Sequence, residues 1–224
     1  MARYLILGAG KFGRLAVARL ARQDGGAAFA VVDRDPAALA AARAATGAAR
    51  VGWVEADVAD FLRRHLRDEA PWDWLIPMVP EHVAFAWLKN GPLAEGGWEA
   101  VPVPEEVGAL TPGAFRGLRG ELYLSRADHL CPDDCEAPET GCPVSGESRE
   151  TPLYAALAGL MVPGYRVLVL ASQQLAPGVG GYPPWRLLAL ARELKSLKGS
   201  AVIATACRCH GVAHAVRRRP GGRG

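Results

Sequence analysis

A doubly wound α/β fold, with a parallel sheet covered by helices on both faces, is predicted by three observations. Short apolar runs that end in turn signals alternate with helix-period segments along almost the whole chain. A glycine loop, Gly8-Ala9-Gly10-Lys11-Phe12-Gly13, follows the first apolar run at once and opens the first helical segment. The second apolar run then ends in an acidic residue, Asp33.

Eight strands are expected, approximately at Tyr4 to Leu7, Ala28 to Asp33, Val51 to Val54, Trp74 to Met78, Trp98 to Val103, Glu121 to Ser125, Arg166 to Ala171 and Ser200 to Ala206. Helical periodicity covers Phe12 to Arg22, Pro36 to Ala45, Val58 to Leu66, His82 to Lys89, Pro152 to Leu160 and Pro184 to Leu197. Pro36, Pro152 and Pro184 suit a first helical turn, where a missing N–H costs nothing. Residues 1–126 are read as a dinucleotide-binding domain of Rossmann type, 127–216 as a cysteine-rich loop with two further β/α units, and 217–224 as a basic, disordered tail. The segment from Glu136 to Arg149 is rich in Gly, Pro, Ser and Thr, and a loop of that length inside a compact domain points to a site or a staple.

Half of the 224 residues are apolar, enough for a sizeable core, and the net charge of +3 owes much to Arg217, Arg218, Arg219 and Arg223. A solvated tail accounts for those arginines and is weak evidence for nucleic acid, which is not an expected partner. No apolar run approaches a membrane span, and the first strand runs directly into the glycine loop with no export signal, so a cytoplasmic protein is expected. In that compartment five clustered cysteines point to metal ligands or reactive groups before disulfides.

The glycine loop carries chemistry because of its context. Gly8 permits the tight turn after the strand, Gly10 lets the backbone approach a pyrophosphate, and Gly13 lets helix and strand pack closely. The N–H groups of the opening helix, with Lys11 and Phe12 in its first turn, then face the phosphates. Asp33 can accept both ribose hydroxyls and would repel a 2′-phosphate, which favours NAD over NADP. Arg34 opposes that preference, since its guanidinium could accommodate the extra phosphate. A glycine loop that only makes a turn is the alternative.

The stretches Tyr4-Leu5-Ile6-Leu7-Gly8-Ala9-Gly10-Lys11-Phe12-Gly13, Val31-Val32-Asp33-Arg34-Asp35 and Val54-Glu55-Ala56-Asp57 resemble the NAD-binding domain of bacterial potassium-uptake regulators. The resemblance spans roughly Met1 to Met78 and implies NAD as the ligand type, with Asp57 as the acidic residue near the adenine. It does not extend to the cysteine motifs, which lie outside that family's pattern.

Those motifs are Cys131-Pro132-Asp133-Asp134-Cys135, Cys142-Pro143 and Cys207-Arg208-Cys209-His210. Cys131, Cys135 and Cys142 offer three ligands, and Cys207, Cys209 or His210 a fourth, for zinc or an iron–sulfur cluster. The spacing matches neither a zinc ribbon nor a common ferredoxin, so redox-active thiols and incidental ones stay open. Ligands of open α/β sheets bind beyond the carboxyl ends of the strands. If all eight strands were parallel, the glycine loop and the cysteines would share one edge; a separate annex is the alternative.

His82 follows the fourth strand and is a candidate acid/base near a nicotinamide or simply a helix-start residue. His129 could ligate a metal or hydrogen-bond locally, Arg126 and Asp128 could position a substrate, Leu175 to Pro183 reads as a flexible connection or as a loop whose freed N–H groups bind an anion, and His214 is expected to face solvent. Together these features point to an NAD-dependent oxidoreductase with a cysteine-bound metal or cluster, acting on a small-molecule substrate or redox partner, in which a homo-oligomer is compatible. An NAD(H)-sensing regulatory module with structural zinc is the competing reading.

Overall fold

The computed structural model describes residues 1–47, 50–136 and 141–219. The chain opens with β1 (Arg3–Leu7), α1 (Lys11–Gln23), β2 (Ala28–Asp33), α2 (Pro36–Ala45), β3 (Val51–Glu55), α3 (Val58–His65) and β4 (Trp74–Pro77). These strands make a four-stranded sheet in the order β3-β2-β1-β4, parallel throughout. Leu5, Ile6 and Leu7 are fully buried, as a strand covered on both faces requires. Asp35 caps α2 by accepting from the Ala37 N–H at 2.8 Å, and Pro36 stands in its first turn.

Next come α4 (Val83–Lys89), α5 (Pro92–Glu95), β5 (Trp98–Val101), α6 (Glu105–Gly108), β6 (Phe115–Arg116), β7 (Leu122–Ser125) and α7 (Leu153–Ala158). The chain ends with β8 (Tyr165–Ala171), β9 (Gln173–Ala176), β10 (Val179–Gly181), α8 (Pro184–Ser196), β11 (Ser200–Ala206) and β12 (His210–Arg218). A second sheet has the order β6-β7-β12-β11-β8, with β5 also on β12. Among the described residues only β8 and β11 run parallel in it. The other pairings are antiparallel.

The single parallel edge of eight strands therefore does not form. Cys207-Arg208-Cys209-His210 reverses the chain, the Cys207 N–H donating to the His210 carbonyl at 2.8 Å, and β12 returns along β11 from Ala206 opposite Gly211 to Ser200 opposite Arg217. Arg217 and Arg218, expected in a free tail, are strand residues, and Arg217 pairs with Glu99 at 2.9 Å. Residues 220–224 of that tail lie outside the described ones. Leu175 to Pro183 contains a β9–β10 hairpin, and Tyr182 exchanges backbone hydrogen bonds with Leu75 of β4 at 2.9 and 3.0 Å. The hairpin thereby covers the edge of the parallel sheet, which is one way to protect an unpaired strand.

One apolar cluster joins the sheets: Leu5, Leu7 and Val32 of the first share it with Leu168, Leu170 and Ile203 of the second and with residues of α3, α4 and α8. Separate clusters lie under α1 and α2 and under α7. No helix is long and apolar enough to cross a membrane among the described residues.

Candidate functional site

The three glycines of the loop meet three different surroundings. Gly8 has φ +118°, its N–H donates to the Val32 carbonyl at 2.8 Å, and a Cβ there would stand 2.7 Å from the Met78 carbonyl oxygen. A Cβ on Gly13 would stand 1.9 Å from the Gly8 carbonyl oxygen, so α1 packs on the turn at a distance only glycine allows. At Gly10 a Cβ would meet nothing within 4 Å. Gly10 caps α1 with no side-chain hydrogen bond, which leaves the first N–H groups of the helix for another acceptor.

Asp33 ends β2 beside this turn. Its carboxylate accepts from the Ala9 N–H at 2.7 Å and the Asp35 N–H at 2.9 Å, so it both fixes the loop and retains lone pairs for a hydroxyl. Arg34 is exposed. Asp57 caps α3, accepting from the Asp60 N–H at 3.0 Å. Phe12 is 47% exposed with the Lys11 ammonium 5.3 Å from its ring centre. Lys11 also pairs with Asp133 at 2.5 Å.

That ion pair leads to the cysteines. The loop from Cys131 to Cys135 lies against α1 and the β9–β10 hairpin: Arg19 donates to the carbonyls of Asp133 and Pro177 at 2.8 and 2.7 Å, and the Cys135 carbonyl accepts from Gln174 at 2.7 Å and the Gly178 N–H at 3.0 Å. At its other end the same loop meets the turn between β11 and β12. Cys131 Sγ is 3.6 Å from His210 Nε2. Burial, and then the neighbouring Cys135, Cys142 and Cys209, raise the Cys131 thiol above its usual range.

Cys142 and Cys207 sit in turns of the same kind. The Ser145 N–H donates to Cys142 Sγ at 3.5 Å, and the His210 N–H to Cys207 Sγ at 3.3 Å, each from three residues on. At Cys142 these bonds stabilise the thiolate. Ser145, through its side chain first and its N–H second, together with the Val144 N–H, pulls Cys142 down to about 6. Below them lies Arg149, only 3% exposed, which donates to Glu147 and to the Arg126 carbonyl at 3.1 Å each and hydrogen-bonds Cys209. Arg126 has its own N–H on the Cys209 carbonyl at 3.0 Å.

His129 completes the group. Its Nδ1 is 3.0 Å from Asp128 and its Nε2 is 3.8 Å from Cys142 Sγ. Zn–S and Zn–N bonds of about 2.3 and 2.0 Å at a tetrahedral angle separate their donors by about 3.5 Å, close to both Cys–His contacts. A carboxylate on the second ring nitrogen is the usual support of a ligating histidine. Among the described residues no three donors are placed to hold one ion; they stand as pairs, Cys131 with His210 and Cys142 with His129. Chain reversal brings together cysteines some seventy residues apart, whereas Arg149 had no sequence signal and His129 only its position beside Asp128 and Cys131.

His82 lies elsewhere. It is 5% exposed at the start of α4, with Nδ1 3.0 Å from His214 Nδ1 and Nε2 3.0 Å from Thr205 Oγ1. Both ring nitrogens are thus engaged in the interior, and the acid/base role expected of His82 finds no exposed face. His214, expected in solvent, is 6% exposed and stacks on Phe85 at 3.8 Å, because it lies in the middle of β12, which carries it into the core.

Residues 76–219 match a family described as "Uncharacterized protein, C-terminal domain". An "Uncharacterized protein" of Archaeoglobus fulgidus is 36% identical over 101 residues, which are 45% of this chain and 45% of that protein. The match thus spans less than half the length of that relative. No solved structure matches.

Proposed function

The chain belongs to the family described as "Uncharacterized protein, C-terminal domain", and we propose that it is an NAD(P)-binding oxidoreductase that holds a metal ion or iron–sulfur cluster in its cysteine cluster. The observation that carries this reading is the division of labour among the loop glycines: two are jammed against backbone, and Gly10, at the uncapped start of α1, is open. That is what close approach of a pyrophosphate requires. The strand order β3-β2-β1-β4, with Asp33 at the end of β2, supports a Rossmann-type site that prefers NAD to NADP.

A bound nicotinamide would supply hydride transfer to or from a small-molecule substrate, while the chain orients it and sets the local charge. Asp33 would take the ribose hydroxyls, the α1 N–H groups and Lys11 the phosphates, and Asp57 the adenine end. Cys131, Cys135, Cys142 and Cys207 or Cys209 are the thiols a cluster would draw on, and because no three of the described donors are placed to hold one ion, loading would have to draw them together. The buried Arg149, with Arg126 and Arg208 nearby in sequence or contact, offsets part of their negative charge.

A second reading, an NAD(H)-sensing module with structural zinc, is favoured by the two Cys–His contacts and by Asp128 behind His129. Elemental analysis with an ultraviolet–visible spectrum on protein purified without oxygen decides between metals: iron, sulfide and absorbance near 400 nm for a cluster, one zinc and no colour for the alternative. NADH titration tests the nucleotide, and turnover of NADH with any acceptor excludes a pure sensor. Protein that binds neither nucleotide nor metal would refute both readings.

A further inference from the structure

Asp133 lies between Cys131 and Cys135, yet its carboxylate reaches the first residue of the glycine-loop helix, 2.5 Å from Lys11 Nζ. The reach is built into the backbone. Arg19, further along α1, holds the Asp133 carbonyl at 2.8 Å. On its other side that carbonyl touches Gly178, where φ is +65° and a Cβ would stand 1.8 Å from the oxygen. An exposed ion pair formed by two mobile side chains would mean little. Here the main chain on one partner is fixed from two directions, and the other partner stands at the positive end of a helix dipole.

We propose that Asp133 is an affinity-determining residue of the nucleotide site: its carboxylate and the pyrophosphate of a dinucleotide compete for Lys11, so nucleotide binding is coupled to the placement of the cysteine loop. The inference rests on the glycine loop being a dinucleotide site. Both ligands of Lys11 are anions, and one ammonium beside one helix N-terminus cannot fully satisfy both. Coupling is reciprocal. Whatever fixes the cysteine loop on α1 weakens the nucleotide, and nucleotide loosens the loop, exposing Cys131 and Cys135 to thiol reagents.

The test is NADH titration of the full chain, followed by nucleotide fluorescence, for wild type, Asp133→Asn, Asp134→Asn, Lys11→Gln and the Lys11→Gln/Asp133→Asn double variant. Asp133→Asn is expected to bind NADH about fivefold more tightly, a factor at the low end of site-to-site coupling. Asp134→Asn removes the same charge from the next residue and is expected to change affinity less than twofold. In the Lys11→Gln background the Asp133 substitution should have no effect. NADH bound equally or more weakly by Asp133→Asn overturns the inference and leaves the nucleotide site standing. A gain that survives in the Lys11→Gln background, or is matched by Asp134→Asn, reduces it to general charge repulsion and overturns it as well. NADH bound by none of the proteins overturns the inference together with the reading beneath it.

Discussion

His82 and His214 meet Nδ1 to Nδ1 at 3.0 Å inside the protein, one from the start of α4 and the other from the middle of β12. One of the two nitrogens must carry the hydrogen and the other accept it, so the accepting ring is neutral and the tautomers of the two rings are linked. Burial, reinforced by the neighbour, keeps His82 well below the usual histidine range. Burial pulls His214 from 6.5 to about 4 against the opposing pull of the Glu121 carboxylate.

Stability should therefore depend on pH in a defined direction. The unfolded chain protonates these histidines near 6.5, whereas folded His214 stays neutral to about 4. Between those values the unfolded state binds more protons, so stability is fully present above 6.5 and falls as pH drops toward 4, by up to about 1.4 kcal/mol per pH unit for His214, with His82 acting in the same direction. Urea unfolding at pH 7.5 and pH 5 measures the slope. His214→Gln is expected to flatten it, and an unchanged slope in that variant would remove the pair as its source.

Gly13→Ala and Gly10→Ala should separate structure from binding. The first forces a methyl to 1.9 Å from the Gly8 carbonyl oxygen and is expected to cost about 3 kcal/mol or more of stability. The second has open space and should leave the thermal midpoint unchanged while weakening NADH binding. Equal NADH affinity in Gly10→Ala would mean that no ligand approaches the backbone there.

Asp33→Ala removes the acceptor for the Ala9 and Asp35 N–H groups as well as the group assigned to the ribose. Loss of charged hydrogen bonds worth about 1.5–3 kcal/mol should weaken NAD roughly tenfold or more and bring NADP closer to it. Parallel calorimetric titrations with NAD and NADP check both effects. Unchanged titrations with both nucleotides would take Asp33 out of the site.

Metal removal should be felt in folding. Cys142→Ala and His129→Ala are each expected to lower bound metal and thermal midpoint together under the zinc reading, since metal binding is coupled to folding. Under the cluster reading His129→Ala keeps iron and sulfide while Cys142→Ala loses them. Metal content and melting curves of the two variants, measured on the same preparations, distinguish these cases.

Much of the fold was legible where the signal is local. α2 spans Pro36–Ala45 as periodicity and Pro36 predict, and β1, β2 and the turn between β1 and α1 follow from an apolar run and a glycine that must adopt positive φ. Less legible was β12, which runs along β11 on one side and is shared between β7 at Val212 and Ala213 and β5 at Ala215 and Val216 on the other, and which carries no clean alternation. The hairpin β9–β10 was similarly hidden, because its glycines and Pro177 are as compatible with a loop as with a tight turn.

By itself the sequence determined the order of the strands and helices up to β4, the glycine loop and its carboxylate, and the inventory of thiols and imidazoles. Those depend on spacing within a single element or on one turn, where steric and hydrogen-bonding rules act between near neighbours. Only the tertiary structure decided that the later strands form a second, mostly antiparallel sheet, that His82 and His214 are interior partners, and that Asp133 reaches Lys11. Each of these joins residues more than a hundred positions apart, or depends on whether a chain reverses at one turn, and such pairings are chosen by burial and packing across the whole molecule.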